Sequence, residues 1–106
     1  MYGKLATLLI ECENLTAAKS FYVGTLELPV VDEGEGWVRF DSGVDLVLWQ
    51  GRKDEVVPGF AGADLEAALE SLRLKGCEPT PIADHPGGRH FYVTDPGGNT
   101  LMVGGS

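Results

Sequence analysis

The chain has 106 residues, which supports a single domain, and its 43% hydrophobic content argues against wholesale disorder. Acidic residues outnumber basic ones 16 to 8, for a net charge of −8. Such a balance repels nucleic acid phosphates and anionic membranes, so neither is an expected partner. Solubility explains the charge in the simplest way, and attraction of cationic small molecules is the sharper alternative.

Read in chain order, Leu5 to Cys12 are apolar and β-permissive and predict a strand. Asn14 then caps a helix over about Leu15 to Val23, with Gly24 as its stop. Leu15, Ala18, Phe21 and Tyr22 fall on one helical face, which is expected to be buried. Three short strands follow, at Pro29 to Val31, Gly36 to Phe40 and Asp45 to Gln50. Glu33-Gly34-Glu35-Gly36 and Ser42-Gly43 supply the turns between them.

The second half repeats the order. Val56 to Ala61 predict a strand, weakened by Pro58 and Gly59. Asp64 caps a helix whose apolar face carries Leu65, Ala68, Leu69 and Leu72, and Gly76 ends it. Glu78 to Ile82, Arg89 to Thr94 and Thr100 to Val103 are the last predicted strands. Pro86-Gly87-Gly88 and Asp95-Pro96-Gly97-Gly98-Asn99 read as turns. The fold class is therefore α+β, two βαβββ modules at about residues 1–52 and 53–106, with mixed sheets curled around a cleft.

Cys12 and Cys77 stand far apart, in no metal-type spacing, and read as reduced thiols of a cytoplasmic protein. The N-terminus MYGKLATLLIECEN has too short an apolar run for a signal peptide, and no stretch reaches transmembrane length. The glycine pairs do not lie between a strand and a helix start, so no phosphate loop is expected.

The segment Asn14-Leu15-Thr16-Ala17-Ala18-Lys19-Ser20-Phe21-Tyr22, followed by Leu26-Glu27-Leu28, and the segment Phe91-Tyr92-Val93-Thr94-Asp95-Pro96-Gly97-Gly98-Asn99 carry a resemblance. Together with the element order, they resemble the vicinal oxygen chelate superfamily of glyoxalases, bleomycin-resistance proteins and extradiol dioxygenases. Metal enzymes of that superfamily hold a divalent ion with His and Glu on the first and last strands of each module. The resemblance places those positions at Thr7, at Val47 to Trp49, at about Val57 with Gly59 and Ala61 beyond, and at Met102. None is a His or Glu, so no cofactor is expected. A divalent-metal lyase, isomerase or dioxygenase is the alternative. His85 and His90, with Asp84, are the remaining metal candidates, although two surface loop histidines are the commoner explanation.

Strand parity gives the residues that face away from the helices. They are Thr7, Leu9 and Glu11; Trp37 and Arg39; Val47 and Trp49; His90 and Tyr92; and Met102. An open sheet face carrying both tryptophans needs a cover. A dimer partner, the other half of the domain, or a planar ligand stacked on the indoles would each supply one. Glu11 and Asp45 offer carboxylates there that could serve as general acid or base, although carboxylates on a sheet face are far more often solvated or paired with a residue such as Arg39. Bleomycin-resistance proteins are small, acidic and metal-free, and as dimers they sequester a cationic aromatic drug. The resemblance thus implies a homodimeric small-molecule binding protein for a cationic or aromatic compound.

Overall fold

The computed structural model describes residues 4–85 and 88–105, His85 by its backbone alone. Its first half contains β1 (Lys4–Cys12), α1 (Leu15–Ser20), β2 (Val30–Gly34), β3 (Trp37–Ser42) and β4 (Val44–Gln50). The second contains β5 (Glu55–Ala63), α2 (Leu65–Leu74), β6 (Ala83–His85), β7 (Gly88–Thr94) and β8 (Thr100–Gly105). This is βαβββ twice, in an α+β chain with mixed sheets. Two compact units result, one of residues 7–57 and one of residues 58–105 with residues 4–6.

In the first unit the strands lie in the order β2-β3-β4-β1, with β1 and β4 parallel and the other pairs antiparallel. Alternation decides which side is buried. Leu8 and Phe40 both pair with Leu46, while Ile10 and Val38 both pair with Leu48, so all six share one face. That face, with Cys12, packs against Leu15, Ala18 and Tyr22. Phe40 and Leu48 are fully buried, and the Tyr22 ring lies 6.0 Å from that of Phe40.

Asn14 caps α1 as its position predicts, its side chain accepting the Ala17 N–H at 3.0 Å. The predicted stop at Gly24 and burial of Phe21 are both corrected. After Ser20 the helix widens into a π-turn over Phe21–Thr25, in which Leu26 N–H reaches the Phe21 carbonyl. Tyr22, seven residues from Leu15 and four from Ala18, packs on the core as its spacing predicts, while Phe21 stays 50% exposed. The left-handed residue that ends the helix is then Glu27, at φ 58°, and not a glycine. A side chain there is strained by about 1 kcal/mol. Glu27→Gly is accordingly expected to raise stability by roughly 0.5 kcal/mol once the greater freedom of glycine in the unfolded chain is set against it. A lower urea midpoint for the variant would refute this.

The second unit has the order β5-β8-β7-β6, with β5 and β8 parallel. Ala63, Leu65, Ala68, Phe91 and Val103 form its core, flanked by Leu69, Leu72 and Ile82. Asp64 caps α2 through the Ala67 N–H. Gly76, at φ 88°, closes the helix with two bonds, Cys77 N–H to the Leu72 carbonyl and Gly76 N–H to that of Arg73. Pro58 sits in β5 just before its first residue paired to β8, where a missing N–H costs little.

The strand predicted over Glu78 to Ile82 is corrected to Ala83–His85. Pro79 and Pro81 remove two ladder donors. The segment is tied to β7 through Thr80, whose N–H donates to the Tyr92 carbonyl and whose hydroxyl accepts the Tyr92 N–H. Of the predicted Pro86-Gly87-Gly88 turn, the first two residues lie outside the described set.

The Asp95–Asn99 turn is organised by one carboxylate. Asp95 Oδ1 accepts the Gly97 and Asn99 N–H groups, each at 2.9 Å, and the Asn99 amide also reaches the carboxylate. The Asn99 backbone N–H, chiefly, followed by its side-chain amide, holds the Asp95 carboxyl below the usual carboxylate range. A lowered folded pKa means that this stabilisation is present above about pH 4 and is lost as pH falls through the folded value. The stability gap between the native chain and Asp95→Ala is therefore expected to be wider at pH 7 than at pH 3. An unchanged gap in urea unfolding would refute it. Among the described residues, no helix is long and apolar enough to cross a membrane.

Candidate functional site

Cross-strand register assembles seven of the ten residues predicted to face away from the helices onto one face of the first unit. Three rungs cross it. Thr7 pairs with Asp45 and Asp45 with Asp41; Leu9 pairs with Val47 and Val47 with Arg39; Glu11 pairs with Trp49 and Trp49 with Trp37. The other three, His90, Tyr92 and Met102, lie on the second unit. There Tyr92 is directly opposite Met102, and the His90 ring meets that of Tyr92 edge-on at 5.0 Å. His90 is not a loop histidine: it is buried within β7, because Gly88 to Thr94 continue as strand.

The tryptophans form the aromatic end of the three-rung face. Both are half-buried, and as a directly opposed pair their Cβ atoms stand within about 5.5 Å. Gly34, the β2 residue opposite Trp37, makes room for the indole, since a Cβ there would come 2.5 Å from Trp37 Nε1. Trp49 Nε1 is withdrawn from solvent with no hydrogen-bond partner among the described residues.

The other end of the face is acidic. A bulge in β2 at Val31 switches sides, so Val30 joins the core while Asp32 pairs with Arg39. Arg39 is 3.6 Å from Asp45, the pairing that the sequence predicts for that carboxylate. Sequence reading passed over Asp32 and Asp41. Asp41 shares the parity of Arg39 and was legible, whereas Asp32 depends on the bulge.

Beside Trp49 the chain forms an open groove of about 460 Å³ lined by Glu11, Trp49, Gln50, Gly51, Arg52 and Lys53. Several of its polar groups are engaged internally. Glu11 Oε2 accepts the Arg52 N–H at 2.9 Å and the Lys53 N–H at 3.4 Å, and a Cβ at Gly51 would overlap the Glu11 carboxyl. The Gln50 amide accepts the Leu15 N–H and donates to the Glu13 carbonyl, tying this corner to the start of α1. Lys53 pairs with Glu55 at 2.7 Å. The exposed Arg52 guanidinium makes no such pair among the described residues.

The implied metal positions do not fit a divalent ion. Thr7, Val47, Trp49, Val57, Gly59 and Met102 supply neither imidazole nor carboxylate. Glu11, the carboxylate nearest to them in β1, is engaged by backbone N–H groups. Among the described residues no three His, Cys, Asp or Glu side chains converge; the His85 side chain lies outside that set.

Comparison with known proteins agrees with this architecture. A superfamily member from Vibrio splendidus 12B01 superposes with TM-score 0.73 at 17% identity, covering 94% of this chain and 97% of that one. A substituted form of Streptomyces coelicolor methylmalonyl-CoA epimerase, in complex with 2-nitronate-propionyl-CoA, gives 0.74 at 19% identity, with 98% and 97% covered. Homoprotocatechuate 2,3-dioxygenase from Arthrobacter globiformis gives 0.75 at 26% identity, with 94% of this chain and 35% of that one covered. No curated protein matches the sequence. The sequence model of the Glyoxalase/Bleomycin resistance protein/Dioxygenase superfamily matches residues 4–103, and with the two βαβββ modules this shows that the chain belongs to that superfamily.

Proposed function

We propose that this chain is a metal-independent binding protein that holds a small planar aromatic compound against Trp37 and Trp49. The observation that carries the reading is their direct cross-strand pairing on the sheet face opposite the helix-packed core. Two indoles paired across the strands put aromatic area on one sheet face, and proteins seldom leave such an area without a cover. Stacking on that area supplies binding energy without a reacting group. The superfamily itself spans bleomycin-resistance proteins as well as enzymes, so membership alone does not favour chemistry. The residues at the implied metal positions support the binding reading further, because they lack ligand chemistry.

The test is a titration of the purified chain with planar aromatic dyes, read by intrinsic tryptophan fluorescence, alongside elemental analysis. Saturable quenching with negligible bound metal is the expected result. Stoichiometric divalent metal, together with turnover that a chelator removes, would overturn the proposal.

A further inference from the structure

The charge of the ligand follows from which groups in the groove beside Trp49 remain available. Of the Glu11 carboxylate one oxygen, Oε2, is engaged by the N–H groups of Arg52 and Lys53, and the Gln50 amide is engaged at both ends. Lys53 is paired with Glu55. Arg52 remains: an exposed guanidinium, unpaired among the described residues, lining the same groove as the indole. A guanidinium offers a planar fork of N–H donors that matches a carboxylate in two-point geometry.

Glu11 keeps its charge and Asp54 follows Lys53 in the chain, so the preference rests on the two-point geometry of the guanidinium and not on net local charge. The net charge of −8 repels anions, but screening at physiological salt confines that field to about 8 Å. Asp41 and Asp45 lie two rungs from Trp49 along the strands, roughly 13 Å at the usual rise per residue. They disfavour an acidic group at their own end of the face and so orient it toward Arg52.

We infer that the ligand is a planar aromatic carboxylate, its ring on Trp49 and its acid group on Arg52. The inference rests on the proposed aromatic-binding role and reverses the sign of charge that composition alone predicts. Calorimetric titration of the full chain with 2-naphthoate and with 2-naphthylmethylammonium, which share a ring and differ in charge, tests it. Naphthoate is expected to bind about tenfold more tightly, and Arg52→Ala to erase that advantage by weakening naphthoate while the ammonium probe, relieved of a repulsive charge, binds no less tightly than before. Arg52→Lys, which keeps the charge but loses the fork, is expected to fall between the two. Equal affinities, or an Arg52→Ala variant that binds naphthoate as the native chain does, would overturn the carboxylate inference. If ring binding then still depends on the tryptophans, the aromatic-binding role survives. Failure of both probes to bind would overturn both.

Discussion

Replacing Trp37 and Trp49 together with alanine is expected to cost about 3 kcal/mol of ligand binding, on the order of a hundredfold in Kd, for an aromatic compound that stacks on them. The fold is expected to survive. Both side chains stand on the face away from α1, and the residues that close the core, Val38, Phe40, Leu46 and Leu48, alternate with them along the same strands. Removing two partly buried side chains lowers stability, by less than the same change at fully buried positions, but leaves that core intact. The measurement is the dissociation constant of a dye with its own absorbance, such as one followed by visible spectroscopy, in native and doubly substituted protein with matched circular dichroism. Retained affinity in the folded variant would remove the tryptophans from the site. Loss of the folded state would instead mark them as core. A shift from dimer to monomer with unchanged dye binding would assign the face to a second copy of the chain.

Phe40→Ala is the substitution expected to damage the fold most. Its ring is fully buried, is stacked near Tyr22, and joins β3 to the helix. Deleting a buried aromatic side chain leaves a cavity and costs about 3–5 kcal/mol. Small domains have only about 5–15 kcal/mol in total, so the variant is expected to be close to unfolding at room temperature. Arg39→Ala is the control, one residue away on the opposite face and paired with Asp45 at 3.6 Å across partly exposed side chains. A surface pair of that kind contributes less than about 1 kcal/mol. Urea midpoints of the two variants thus read the sheet's orientation directly. If Arg39→Ala costs as much as Phe40→Ala, the assignment of inner and outer faces is inverted.

Much of this architecture was legible in single residues. Asn14 and Asp64 announce their helices because a short acceptor side chain can satisfy an N–H two or three residues on. Gly76 ends α2 because only glycine enters the left-handed region without cost, and Asp95 to Asn99 encode a turn whose donors and acceptor all lie within five residues. The faces of β3 and β4 were legible for a similar reason. Alternation is a property of the strand itself, so Val38 and Phe40 go inward and Trp37 and Arg39 outward whatever the strand pairs with.

What the sequence by itself determined, then, is much of what has its partners close in the chain: the helix N-caps, the Asp95–Asn99 turn, the strand faces and the two-fold βαβββ order, though not the end of the first helix or the bounds of β6. Tertiary structure decided the rest. The pairing of β1 with β4 puts Glu11 beside Trp49, thirty-eight positions later, and no local pattern marks that neighbour. Of the two aromatic residues on the predicted face of the first helix, Tyr22 meets Phe40 and Phe21 is left 50% exposed, a choice made by the packing partner and not by helical spacing. The bulge at Val31 carries Asp32 across to Arg39, since Val30 must meet the core while the remainder of β2 keeps its ladder. Glu11 illustrates the same division. As a residue it advertises a counter-charge for a cation, but folding brings the Arg52 and Lys53 N–H groups to Oε2, so one of its two oxygens is spent on holding the chain itself.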